Sequence, residues 1–253
     1  MHLKDATLLV VDDEPYYCEI AKDWFEREGC RVLTADDGVA ALAVVDKEKV
    51  NAIVTDIRMP RMDGVELIRR LKARGSYTPT AVALSGFSDL EPREAYDLGI
   101  EAQLSKPVSR KVLISAVETA LTDRAQLWGG SPVSGKRFAI QAQFQSLQSA
   151  HDNHQIAFGR GGFCMRSDLM VPDDSGVEFH LVFAAQAQVL RGQGTLRWTS
   201  PEERTIGVEI ARVQEGLDWI SELARQNQSV SFIPRSPEAS EKSQAPKSIH
   251  DSE

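Results

Sequence analysis

Between residues 7 and 122, short apolar runs alternate with amphipathic segments. This alternation constrains the fold more than any other feature of the chain. "TLLVV" (7–11), "RVLTA" (31–35), "AIVTD" (52–56), "TAVALS" (80–85) and "AQLS" (102–105) are β runs. Segments 14–28, 38–46, 63–74, 90–98 and 109–122 read as helices. Strands that each hand over to a helix predict an α/β doubly wound, five-stranded parallel sheet. In such sheets function collects outside the carboxyl ends of the strands.

Those ends carry a coherent set of side chains. The first strand runs into Asp12 and Asp13, followed by Glu14 and Pro15; the third ends in Asp56, the fourth in Ser85, and the fifth runs into Lys106 and Pro107. Right-handed crossovers bring all of them to one edge of the sheet. Three carboxylates there repel one another unless a cation joins them, and hard oxygen ligands on a shallow site favour Mg2+. A lysine beside them adds a point charge suited to phosphate oxygens, and a serine adds a neutral donor.

"VVDDE", "VTDIRMPRMDG", "ALSG" and "SKP" occur in the order and spacing of the receiver domain of two-component response regulators, and the first half of the chain resembles that family. The resemblance implies that Asp56 is the phosphoacceptor. Asp13, Asp56 and the backbone carbonyl of Arg58 would be the magnesium ligands, with Asp12 acting through water. Lys106 would pair with the bound phosphoryl group, Ser85 would turn inward to donate to it, and Pro107 would follow a cis bond. Two positions depart from the pattern or leave it open. Gln103 stands where the family has an aromatic switch residue, which puts the aromatic readout of the 90–106 face in question. Arg58 either reaches over the phosphoryl site or is a solvated loop charge.

The grammar changes after residue 123. "DRAQLWGGSPVSGKR" (123–137) is rich in Gly, Ser and Pro and reads as a linker. "FAIQAQFQSLQ" (138–148), "VEFHLVFAA" (177–185), "QGTLRWTS" (193–200) and "TIGVEI" (205–210) are β runs, and 213–226 reads as a closing helix. They predict a small antiparallel β-barrel domain with a C-terminal helix. "GTLRW" and "IGVEI" are similar to strands of the PilZ family, a β-barrel many of whose members bind cyclic di-GMP, and "AFGRGG" (157–162) matches its strand turn. The family's ligand motifs are degenerate here. Only Arg137 and Arg160 stand as candidate phosphate clamps, so "AFGRGG" reads foremost as a hairpin turn in which glycine eases the backbone. Trp198 is expected in the barrel core and Trp219 between the last helix and the barrel. His151 and His154 are expected in an exposed loop.

The expected organisation is therefore a receiver over 1–123, a linker over 124–136, a PilZ-like domain over 137–226 and a disordered tail over 227–253. Of the net charge of −8, the first 128 residues contribute 17 basic against 22 acidic side chains, and the rest 12 against 15. Neither half has the basic excess of a nucleic-acid binder, so no DNA partner is expected. No apolar run approaches a membrane span, and three scattered cysteines fit a reducing, cytoplasmic setting. The reading is a response regulator phosphorylated on Asp56 by a partner histidine kinase. It is not an enzyme beyond its own Mg2+-dependent phosphorylation, and its output is a protein interaction with an unidentified downstream protein or a homodimer through the receiver. Two alternatives stay open: a cyclic di-GMP effector, and an adaptor insensitive to phosphorylation. Helix 109–122 runs into the linker and is the expected mechanical route between the halves.

Overall fold

A computed structural model describes residues 2–74, 78–86, 90–130, 135–226 and 231–235. In the first half, β1 (Thr7–Val11), α1 (Pro15–Glu26), β2 (Arg31–Ala35), α2 (Gly38–Val45), β3 (Ala52–Asp56), α3 (Gly64–Lys72), β4 (Thr80–Ser85), α4 (Pro92–Asp97), β5 (Ala102–Ser105) and α5 (Arg110–Leu121) follow one another as the sequence predicts. The strands lie in the order β2-β1-β3-β4-β5 and every pair is parallel. Leu8, Leu9, Val10 and Val11 are all buried, because helices cover both faces of the sheet. One apolar layer joins α1 and α5 to the sheet through Phe25, Leu113 and Val117; the opposite face packs Leu67, Leu71 and Ile68 of α3.

The helix starts are set by local chemistry. Asp37, Asp63 and Ser109 each cap the helix that follows, accepting from the backbone N–H of Ala40, Glu66 and Val112. Proline opens α1 and α4, where its fixed φ fits and its missing N–H costs nothing. Gly64 lets α3 start against the end of β3, since a Cβ there would overlap the Asp56 carbonyl oxygen.

The linker expectation is corrected. Residues 124–128 form α6 (Arg124–Trp128), capped by Asp123, and Trp128 is 1% exposed in the core of the second domain. The Gly/Ser signal belongs to the stretch after it, of which 131–134 lie outside the described residues. Then come β6 (Phe138–Phe144), α7 (Leu147–Asp152), β7 (Ile156–Phe158), β8 (Gly162–Arg166), β9 (Gly176–Phe183), β10 (Gln188–Ser200), β11 (Thr205–Glu215) and α8 (Leu217–Gln226). The sheet order is β6-β9-β10-β11-β8-β7. It is mixed and, among the described residues, open, with β6 and β7 as its edges: the antiparallel pairing expected of a small barrel holds from β9 through β10, β11 and β8 to β7, and only β6 departs from it. The physical reason is the long crossover through α7, β7 and β8, which lets β6 return parallel to β9. Phe144, Phe158, Phe163, Phe179 and Phe183 fill the core. Trp219 packs α8 edge-on to Phe158 and against Phe183, as expected. His151 lies on α7 and His154 just after it; both are half-buried rather than exposed.

The tail expectation is corrected in part. Phe232, Ile233 and Pro234 are buried, with Phe232 1% and Ile233 0% exposed, while Arg235 is exposed; 227–230 and 236–253 lie outside the described residues. No helix among the described residues is long and apolar enough to cross a membrane.

Candidate functional site

The carboxyl ends of β1 and β3 place Asp12, Asp13 and Asp56 together, with one carboxylate oxygen of each within 4.8 Å of the others. Asp12 is buried, and its Oδ1 accepts from the Glu14 N–H at 3.0 Å. Asp56 Oδ1 accepts from the Ile57 N–H at 2.8 Å, which fixes the carboxylate at the strand end. Lys106, just past β5, reaches both of the deeper acids: its Nζ lies 2.8 Å from Asp12 Oδ2 and 3.0 Å from Asp56 Oδ2. Burial works against the ammonium charge, but hydrogen bonds to Asp12 and Asp56 outweigh it and hold the Lys106 pKa above its ordinary value. The Lys106–Pro107 bond is cis. The Tyr17 ring lies 4.9 Å from Lys106 Nζ, a cation–π contact that no sequence signal disclosed.

Beside this cluster an open cleft of about 530 Å³ is lined by Asp13, Ile57, Arg58, Met59, Pro60, Asp63 and Val65. The Arg58 side chain is exposed on that rim. Three carboxylates converge at the strand ends beside that cleft, with Asp13 on its wall, and one lysine serves two of them. That donor set fits a hard, partly hydrated divalent cation such as Mg2+.

Residues 8–118 match the family model described as "Response regulator receiver domain". This stretch of the chain is a receiver domain. The chain is 32% identical over 125 residues to the Escherichia coli transcriptional regulatory protein GlrR, covering 49% of this chain and 28% of that one. It is 34% identical over 109 residues to the sensor histidine kinase RcsC of Salmonella typhimurium, covering 43% and 12%. The receiver domain of the Francisella response regulator 1452 is 30% identical, with a TM-score of 0.43 and coverage of 46% and 96%. The chain thus spans well under a third of the length of these two curated relatives.

Ser85 sits buried at the end of β4. Its Oγ accepts from Gln103 Nε2 at 3.3 Å, and the same amide nitrogen donates to the Leu90 carbonyl at 2.9 Å. Gln103 Oε1 is buried without a hydrogen-bond partner. So Gln103 ties the end of β4 to the chain entering α4 through a half-satisfied amide, where an aromatic ring would stack instead.

Of the two candidate arginines of the second half, Arg160 is engaged inside the fold. Arg160 is buried, its Nη1 2.5 Å from Glu101 Oε1 and its Nη2 donating to the Gly99 carbonyl at 2.8 Å. Arg137, at the start of β6, is half-buried. "AFGRGG" is a hairpin turn, as first read: Phe158 pairs antiparallel with Phe163, and the Gly159 N–H donates to the Gly162 carbonyl. The expected conformational role of its glycines is corrected: Gly159, Gly161 and Gly162 have no positive φ, and Gly159 and Gly161 instead make room for Phe232, with which a Cβ would collide. Trp198 is buried, but against Cys164, Phe232 and Ile233 rather than in the main core, with the Arg93 guanidinium 4.8 Å from its ring.

Proposed function

We propose that the chain is a response regulator in which Asp56 accepts a phosphoryl group from the phosphohistidine of a sensor kinase. An Asp56 carboxylate oxygen attacks phosphorus, the P–N bond breaks, and the imidazole leaves with the bonding pair. Asp12, Asp13, Asp56 and the Arg58 carbonyl would hold Mg2+, which when bound offsets charge on the phosphoryl group. Lys106 exchanges its contact with the Asp56 carboxylate for one with a phosphoryl oxygen, and Ser85 turns to donate a hydrogen bond to another. The observation that carries this reading is the convergence of three strand-end carboxylates with Lys106, beside an open cleft that Asp13 lines. The second domain is the output, acting through protein contacts. The pairing of buried Arg160 with Glu101 weighs against its serving a cyclic di-GMP site.

A second reading, a phosphorylation-insensitive adaptor, draws on Gln103, whose amide holds Ser85 and Leu90 together. Beryllofluoride with Mg2+, followed by fluorine NMR and light scattering, separates the two. A bound resonance in wild type and none in Asp56→Ala supports the receiver chemistry, and a mass change with it identifies assembly as the readout. A bound resonance without any change in mass or partner affinity favours the adaptor. No bound resonance at all contradicts the proposal.

A further inference from the structure

The receiver and the second domain meet along α4 and the turn between β7 and β8, and a short piece of the chain's own C-terminal region is threaded between them. On the hairpin side, the Arg160 N–H donates to the Ser231 carbonyl at 3.0 Å and the Gly161 N–H to the Phe232 carbonyl at 2.9 Å. On the receiver side, the Phe232 N–H donates to the Tyr96 carbonyl at 2.8 Å. Ser231 Oγ and the Arg235 N–H both donate to Asp97 Oδ1, at 2.8 and 3.0 Å, and Arg93 Nη2 donates to the Arg235 carbonyl at 3.0 Å. The Phe232 ring stacks on Tyr96 with centroids 5.8 Å apart. Arg93 also pairs with Glu203 of the second domain. Nearly every anchor on the receiver side therefore belongs to α4.

That helix is wired to the acidic cleft. Leu90 lies two residues before α4, and its carbonyl shares the Gln103 amide with Ser85. If Ser85 turns toward a phosphoryl group on Asp56, Gln103 loses one of its two acceptors while its Oε1 already lacks a donor. A buried amide in that state favours rearrangement of the groups around it. Room exists for it: a cavity of about 670 Å³ opens beside Gln103, Tyr96, Phe232, Arg124 and Arg197.

We infer that the seat between α4 and the Gly159–Gly162 turn is a gated docking site whose resting occupant is the chain's own Ser231–Arg235 segment, and that phosphorylation at Asp56 releases it through Ser85, Gln103 and Leu90. The inference rests on the receiver chemistry proposed above. The output of the switch is then exposure of an aromatic-aliphatic "SFIP" segment and of the α4 surface that held it.

Hydrogen exchange on the full chain, with and without acetyl phosphate and Mg2+, tests it, with intact mass read on the same samples. The peptide covering 231–235 is expected to be protected at rest and to exchange at least ~tenfold faster once wild type gains a phosphoryl group, as a local opening would. Gln103→Leu is expected to gain the phosphoryl group without the faster exchange, because the Leu90 link is gone. Phe232→Ala is expected to speed exchange in the 159–162 turn without any phosphoryl donor. Phosphorylated wild type with unchanged exchange at 231–235 overturns the inference and leaves the receiver chemistry standing. Failure of wild type to gain a phosphoryl group overturns both, and the segment is then a static clasp.

Discussion

The buried charge cluster at the domain boundary gives a quantitative test. The Glu101 side chain is 1% exposed; it lies 2.5 Å from Arg160 and 3.7 Å from Lys72. Its Oε2 also accepts from the Ala81 N–H at 2.6 Å. Arg160→Met removes the nearer cation and leaves a buried carboxylate facing a lysine. Breaking one side of a buried pair costs ~3–5 kcal/mol. Lys72 retains part of the compensation, so the low end applies, about 3 kcal/mol, with roughly 1 kcal/mol more for the lost bond to the Gly99 carbonyl. At about 2–4 °C per kcal/mol for a chain of this size, calorimetry should show the melting temperature falling by about 10 °C. Combining Arg160→Met with Glu101→Gln should recover part of the loss, because the stranded charge is gone, giving a coupling of at least ~1 kcal/mol. A fall below about 2 °C, or strictly additive variants, would refute the view that Arg160 compensates a buried Glu101 charge.

Other outcomes follow from the same geometry. Burial pushes the Lys72 pKa down to about 8 from its ordinary 10.5, against the pull of Glu101. Between those values the unfolded chain binds more protons than the folded one, so this group's contribution to stability rises with pH. Urea titrations should show wild type gaining on Lys72→Met from pH 8 to 10.5 and tracking it below about pH 7; parallel curves throughout would contradict the shift. Lys106→Met leaves Asp12 and Asp56 facing each other unpaired, so thermal stability should fall without Mg2+ and recover with it more than wild type does. Equal Mg2+ responses would argue against a cation at the acid cluster. Gly64→Ala drives a methyl group into the Asp56 carbonyl and should cost ~1–3 kcal/mol in chemical denaturation; a change within ~0.5 kcal/mol would mean the β3–α3 corner yields freely.

The acidic cleft was legible because a parallel sheet leaves little freedom. Five β runs that alternate with helices oblige Asp12, Asp13, Asp56, Ser85 and Lys106 to share one edge. The second half was harder for reasons that are also physical. The β6–β9 pairing joins strands more than thirty residues apart, and no local pattern reports its direction. Arg160 looked like a phosphate clamp because glycines flank it, whereas its partner Glu101 lies across a domain boundary that sequence spacing does not reveal. "DRAQLW" borders a Gly/Ser-rich stretch and carries no local sign that Trp128 anchors it in a core. The "SFIP" of the tail is a short apolar island in polar surroundings, and its burial depends on a seat made by α4 and the β7–β8 turn together.

The central claim is that Asp56 is the residue that takes the phosphoryl group, with the neighbouring acids and Lys106 arranged to assist. Intact-protein mass spectrometry after acetyl phosphate treatment, with and without Mg2+, tests it most directly. Wild type should gain the mass of a single phosphoryl group only when Mg2+ is present, and Asp56→Asn should gain none. Phosphoryl uptake by Asp56→Asn equal to that of wild type, or none by wild type, would contradict the account.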